Sequence, residues 1–168
     1  MKLKIVAENK YLPQYANDTD ACMDLKAKIV DNKPVERNFP NYRTGVVNIL
    51  HETENSIWIF PGELVKLHTG VQVAIPEGYV MKMYPRSSTG IKKHLCLANG
   101  TGIIDAGYRD EIIMALYNFG SKPIEIKDGD RLCQFILLPY PKIELEQCED
   151  NEEFRQGDRG GGIGSTGK

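Results

Sequence analysis

Asn99-Gly-Thr-Gly-Ile-Ile-Asp-Ala-Gly-Tyr-Arg-Asp-Glu111 is the stretch around which this chain is organised. It sets three glycines, the carboxylate of Asp105 and the ring of Tyr108 between two β-prone runs. Glycine passes through positive φ without a Cβ penalty and lets a backbone approach a ligand closely. An acid on the lip of such a bend is placed to hold a water beside that ligand. In isolation the same residues also describe an ordinary hairpin with a polar tip. The surrounding chain decides between the two.

On either side lie short β-prone runs. Leu64 to Leu67, Val71 to Ile75 and Tyr79 to Tyr84 come before; Ile112 to Phe119, Ile124 to Lys127 and Leu132 to Leu138 come after. Thr69-Gly70, Pro76-Glu77-Gly78, Gly120, Pro123 and Asp128-Gly129 punctuate them. Many short strands at even spacing predict an all-β sandwich or barrel. One short helix is expected after Ser87 or Ser88, either of which can cap it. Lys2 to Val6 reads as a short strand, and the polar turn Asn17 to Asp20 leads into Ala21 to Ala27. Residues 31–62 are the least organised, with Pro34, Pro40, Gly45 and Pro61-Gly62; a hairpin of Val46 to Ile49 with Ser56 to Phe60 is predicted inside them. Beyond the acidic run Glu149 to Glu153, Arg159 to Lys168 is glycine-rich, able to bury little, and expected to be mobile when empty.

A chain of 168 residues is expected to form one domain with a real core. Its formal net charge of −2 argues against a general nucleic-acid coat or a membrane-surface protein. No apolar run approaches the length of a membrane span, and Met1 to Val6 is too short for a secretory signal core, so the cytoplasm is the default compartment. Cys22, Cys96, Cys133 and Cys148 form no Cys-x-x-Cys pair and have only three histidines to help them, a poor pattern for zinc. Most are expected to be buried, inert thiols.

Several segments suit anions. Pro85-Arg86-Ser87-Ser88 opens the expected helix, whose N–H groups and partial positive charge cradle phosphate, with the Arg86 fork beside them. Gly129 to Gln134 is a turn feeding a strand, where Asp130 and Arg131 are able to pair at the surface. Arg159, Ser165 and Thr166 among the tail glycines form a phosphate-cradling pattern that lacks the Gly-Lys-Ser/Thr ending of a P-loop. Asp24 serves either metal-bound water or a turn. Together these residues form an inventory for hydrolysing a nucleoside triphosphate whose Mg²⁺ is held mainly by the phosphates.

In this order, the segments resemble the five motifs of the homotrimeric dUTPase family: Ala21 to Ala27, Pro85 to Ser88, Asn99 to Glu111, Gly129 to Gln134 and Arg159 to Gly167. The resemblance runs from Tyr15 to the C-terminus, apart from an insertion at about 33–57. It implies a distorted jelly-roll-like β-barrel over residues 1–148 and a C-terminal arm over 149–168. It also implies a homotrimer that exchanges these arms and builds three sites at its interfaces. Asn99, Gly102, Ile103 and Ile104 match the positions that bind uracil through the backbone, with Ile113 lining the same pocket. Tyr108 would lie against the deoxyribose and exclude a 2′-hydroxyl. Asp105 would be the general base for water attack on the α-phosphorus of dUTP, and Asp24 would reach Mg²⁺ through bound water. Arg86, Ser87, Ser88 and Gln134 would hold phosphates from other subunits. Arg159, Ile163, Gly164, Ser165 and Thr166 would close over the substrate. Hydrolysis of dUTP to dUMP and pyrophosphate would limit uracil incorporation into DNA and supply dUMP for dTMP synthesis, in the cytoplasm or, for a viral protein, the host cytoplasm.

Three residues depart from the family pattern: Cys22 for Gly, Asp110 for Gly after Tyr-Arg, and Ile163 for the Phe that stacks on uracil. Two rivals stand beside the hydrolase. A dCTP deaminase of similar fold needs a Glu where Ala115 stands. A dUTP-responsive regulator would bind a partner protein through residues 31–62, where Trp58 and Phe60 lie; an added surface loop accounts for the same stretch.

Overall fold

The computed structural model describes residues 1–29, 36–38 and 55–158. The chain runs β1 (Lys4–Val6), a single 3-10 turn (Asn9–Tyr11), β2 (Met23–Lys26), β3 (Glu36–Asn38), β4 (Ser56–Ile59), β5 (Leu64–His68), β6 (Gln72–Ala74) and β7 (Tyr79–Pro85). Then come α1 (Ser87–Ile91), β8 (Leu95–Leu97), β9 (Gly102–Ile104), β10 (Ile113–Asn118), β11 (Ile124–Lys127) and β12 (Arg131–Pro139). Two four-stranded antiparallel sheets, ordered β3-β5-β10-β8 and β2-β12-β7-β9, form the body; β1-β6 and β11-β4 add two-stranded ribbons. This is the expected all-β, jelly-roll-like architecture, and α1 is the only α-helix among the described residues.

Side chains alternate across each pleat, which is why the sequence reads as strands. Val65 and Leu67 of β5 face inward with Met114 and Leu116 of β10. From the other sheet Leu25, Met81, Met83, Cys133 and Phe135 enter the same hydrophobic cluster, so the two inner faces share one core. The polar Asn118 is fully buried at the end of β10. Its amide donates to the carbonyls of Ile59 and Lys122, so β4, β10 and the turn before β11 meet at one satisfied group.

Ser56–Ile59 pairs antiparallel with Ile124–Lys127; Val46 to Ile49, the other arm of the expected hairpin, lie outside the described residues. Two local expectations change. Neither serine caps α1. Arg86 occupies the cap position and its side chain bonds elsewhere, while the Arg86 N–H and the Thr89 hydroxyl both reach the carbonyl of Leu132. Of the cysteines only Cys133 is fully buried, its thiol pushed up to about 12 by desolvation; Cys22 and Cys96 are half-buried and Cys148 is exposed. From Pro141 to Asp158 every residue is exposed and no strand forms.

Candidate active site

The Asn99–Glu111 stretch is not a hairpin. Its first arm, β9, pairs with β7 in one sheet, whereas β10, which follows it, pairs with β5 and β8 in the other. The chain therefore bends out of one sheet and into the next, and a cleft opens where they part. Two glycines are needed for different reasons. Gly100 sits at φ +71, open to glycine at no steric cost. Gly102 is buried with its Cα against Met83, where a Cβ would lie 3.1 Å from Cβ and 2.8 Å from Cε of that methionine. Gly107 has neither a positive φ nor a close neighbour.

The cleft, about 250 Å³, is lined by Asn99, Gly102, Ile103, Ile104, Asp105, Tyr108 and Ile113, together with Met83 and Ile112. All seven of the base- and sugar-side residues expected from sequence, Asp105 included, thus share one concavity. Asp105 is exposed at the rim, and its carbonyl accepts the Tyr108 N–H at 3.1 Å. The Tyr108 hydroxyl donates to the Glu111 carbonyl at 2.7 Å. Burial, followed by the negative charges of Asp110 and Glu111, pushes that phenol up, so it stays protonated and able to donate. Met83 and Ile112 were not singled out in the sequence; Met83 enters through its pairing with Gly102 once β7 lies beside β9, and Ile112 through the bend that leads into β10.

A second cleft, about 260 Å³, is lined by Ala16, Asp20, Ala21, Cys22, Asp24, Arg86, Ser87 and Gln134. It is organised by a bulge in β12. The register against β2 slips between Arg131 and Cys133, and the freed carbonyl of Leu132 anchors α1. The bulge also turns Arg131 toward Asp24. Arg86 Nε lies 2.8 Å from Asp24 Oδ1 and Arg131 Nη1 lies 3.1 Å from Oδ2, so one nearly buried carboxylate orients two guanidinium groups. Arg131 therefore does not pair with Asp130, which lies 3.5 Å from Lys93 instead. Ser88 is one residue further into the helix and is not part of this lining. The Cys22 thiol, pushed up by burial and then by Asp20 and Asp24, is not a nucleophile here.

The two linings share no residue. Two other clefts, an apolar one between Met1 and Leu137 and one at His94 and Phe119, contain none of the expected site residues. Arg159, Ile163, Gly164, Ser165 and Thr166 lie outside the described residues. Among the described residues no group of three or more His, Cys, Asp and Glu side chains is placed to hold a metal. With Asp24 already engaged by two arginines, the donor set fits a hard cation carried mainly by phosphate oxygens, not one caged by protein. No described helix is long and apolar enough to cross a membrane.

The dUTPase family model matches residues 52–167. The chain is 33% identical over 168 residues to the deoxyuridine 5'-triphosphate nucleotidohydrolase of Clostridium tetani, covering 100% of this chain and 97% of that protein. It is 35% identical to the enzyme of the same name from Finegoldia magna, covering 99% of each. Among solved structures, the dUTPase of Streptococcus mutans superposes with a TM-score of 0.63 at 21% identity, covering 86% of this chain and 99% of that one. A phage phi11 dUTPase of S. aureus, described for its coordination of a structural Mg(II) ion, superposes at 0.68 and 23% identity, covering 90% and 99%. With a family model over more than half its length and relatives matched end to end, the chain belongs to the dUTPase family.

Proposed function

We propose that this dUTP diphosphatase selects uracil and deoxyribose in the Asn99–Ile113 cleft and hydrolyses the α–β phosphoanhydride at its rim, where Asp105 is the general base. The observation that carries this reading is the cleft itself. Its lining offers main chain from Gly102, Ile103 and Ile104, a ring from Tyr108 and one exposed carboxylate at the mouth. Uracil presents acceptor, donor and acceptor along its pairing edge. A site whose main-chain groups match that order leaves buried groups unpaired with cytosine, which is how large discrimination arises. Asp105 takes a proton from water as the water oxygen bonds to the α-phosphorus. The bond to the bridging oxygen then breaks, leaving dUMP and pyrophosphate.

The second cleft is assigned to phosphate. Arg86, Ser87 and Gln134 supply donors, and Ser88 adds its hydroxyl only if the helix start shifts on binding. Asp24 keeps the two arginines aimed and would reach the cation through water. That cation would be Mg²⁺, carried chiefly by the phosphates, and would supply neutralisation of the pyrophosphate leaving group. The resemblance to homotrimeric dUTPases supports completing the site in a homotrimer, with the phosphate cleft of one subunit facing the base cleft of another. Arg159, Ile163, Gly164, Ser165 and Thr166, on the arm 149–168, then close over the triphosphate and exclude water.

Pyrophosphate release from dUTP, dCTP, dTTP and UTP, with and without Mg²⁺, tests the substrate and the cation together. Asp105→Asn should bind dUTP yet turn over about 10³-fold more slowly, within the range for loss of a positioned base. Wild-type turnover in that variant would remove Asp105 from the mechanism.

A further inference from the structure

We infer that Glu111 is a positioning residue for sugar selection: its carboxylate pins the site loop to the His68–Gly70 turn, and its own carbonyl fixes the Tyr108 hydroxyl. The inference rests on the proposed reading of Tyr108 as the wall that excludes a 2′-hydroxyl.

The loop from Asp105 to Ile112 is held unequally along its length. Asp105, Gly107, Tyr108, Arg109 and Asp110 are exposed, and among the described residues the Arg109 guanidinium bonds back onto the loop, at the carbonyls of Ala106 and Tyr108. The far end is different. Glu111 Oε1 accepts the N–H of Thr69 at 3.0 Å and of Gly70 at 2.5 Å, while Oε2 meets His68 Nδ1 at 2.8 Å. Its neighbour Ile112 donates to the carbonyl of Val71 at 2.8 Å and accepts the buried Thr69 hydroxyl at 2.6 Å. The receiving turn is itself constrained. Gly70 sits at φ +68, and a Cβ there would lie 2.8 Å from Lys28 Cδ. His68 is bridged to β2's extension, its carbonyl accepting the Lys28 N–H at 2.8 Å.

Among the described residues the Tyr108 side chain makes one hydrogen bond, to the carbonyl of Glu111 at 2.7 Å. The hydroxyl is therefore only as fixed as that carbonyl, whose peptide plane is held on one side by the Ile112 N–H on Val71 and on the other by the Glu111 carboxylate. Burial pushes the Glu111 carboxyl up, but the Gly70 N–H, His68 and the Thr69 N–H outweigh it and leave it below its ordinary value of 4.5, so it is ionised at neutral pH. Steric exclusion of a single oxygen demands a stiff wall. If the ring yields by about 1 Å the extra hydroxyl fits, and displacements of that size change rates by up to about 10²-fold. Glu111 thus contributes to the choice of deoxyribose over ribose without touching either.

The test is steady-state hydrolysis of dUTP and UTP by the full-length enzyme, read as the ratio of their kcat/KM values. Glu111→Ala should lower that ratio about ten-fold. Glu111→Gln, whose amide oxygen still accepts both N–H groups, should keep the ratio within about two-fold. Tyr108→Phe should lower it too, and the double variant Glu111→Ala/Tyr108→Phe should fall no further than the worse single change, because both break one chain of contacts. An unchanged ratio in folded Glu111→Ala, or additive losses in the double variant, overturns the inference. Should Glu111→Ala not fold, Glu111→Asp against Glu111→Gln decides it: the shortened acid must lower the ratio and the amide must not. A wild-type enzyme indifferent to the 2′-hydroxyl would instead sink the sugar reading of the cleft, before Glu111 enters.

Discussion

The Asn99–Ile113 cleft and the Asp24–Arg86 cleft have nearly the same volume, about 250 and about 260 Å³, and little else in common. The first is walled by main chain, isoleucines and one ring, and is shaped by two sheets parting. The second is walled by charged and hydroxyl side chains, shaped by a β-bulge and a five-residue helix. Shape discriminates between bases; charge holds phosphate of any nucleotide. Selectivity and affinity should therefore separate when each cleft is perturbed alone.

Arg86→Ala gives the largest expected effect. It removes a phosphate donor and leaves the nearly buried Asp24 with Arg131 alone. The kcat/KM for dUTP should fall about 10²- to 10³-fold, the scale for loss of one preorganised charged donor. The dUTP-to-dCTP ratio should stay within about two-fold, since the base cleft is untouched. A collapse of that ratio would show that the two clefts do not act separately. Gly102→Ala is the converse. The new Cβ meets Met83 Cβ, which has no freedom to swing away, so β9 must move; overpacking of this kind costs about 1–3 kcal/mol. KM for dUTP should rise about ten-fold, and inhibition by deoxyuridine should weaken in parallel, because both ligands use the same wall.

Salt sharpens the contrast with a smaller effect. Raising ionic strength from about 0.01 to about 0.15 M shortens the screening length from about 30 to about 8 Å. KM for dUTP should climb several-fold, whereas Ki for uncharged deoxyuridine should not move. Equal salt dependence of the two would mean that the phosphates do not set it.

The same contrast explains what the sequence discloses. Strands β5, β7, β10 and β12 are legible because alternation along each run is local and strong. Strands β8 and β9 are three residues each, too short for their alternation to stand out in the sequence. The partner of Ser56–Ile59 is set by burial of Asn118 and pairing with β11, far along the chain, and local pattern carries no trace of it. In the base cleft the residues are apolar or glycine, and only the order of five motifs marks them as a site. The phosphate cleft advertises its charges, yet sequence offers Arg131 only its neighbour Asp130 as a possible surface partner, because a bulge that turns it to Asp24 leaves no local signature. Glu111 and His68 stand 43 positions apart, and their contact needed the fold to appear.

Behind each cleft stands one clamped carboxylate, and pH separates the two frames by the smallest effect expected. Glu111 secures the base side. Asp128 secures the phosphate side, accepting from Lys10, from the Tyr11 hydroxyl at 2.8 Å and from the Ile29 N–H at 2.9 Å, just beyond the ends of β2 and β12. Burial raises the Asp128 carboxyl, but Lys10, Ile29 and Tyr11 outweigh it and leave it below its ordinary 3.8, as their counterparts do for Glu111. A carboxyl lowered by folding contributes stability above its unfolded value and loses it as pH falls through the folded one, so both frames weaken below about pH 4. Each side also has an alkaline limit, because folding raises the Tyr108 phenol as well as that of Tyr11, and the larger shift lies on the phosphate side. Burial, then Asp128, pushes the Tyr11 phenol from 10.0 to about 12. A group raised by folding contributes below its unfolded value and loses that contribution as pH rises through the folded one, so this frame weakens most between pH 10.0 and about 12. Thermal midpoints across pH should show that alkaline fall in the wild type and in Glu111→Gln. In Tyr11→Phe the fall should shrink, with stability at neutral pH reduced by about 1 kcal/mol for the lost hydrogen bond. An undiminished alkaline fall in Tyr11→Phe would mean that another group sets it, and that the two frames respond to pH alike.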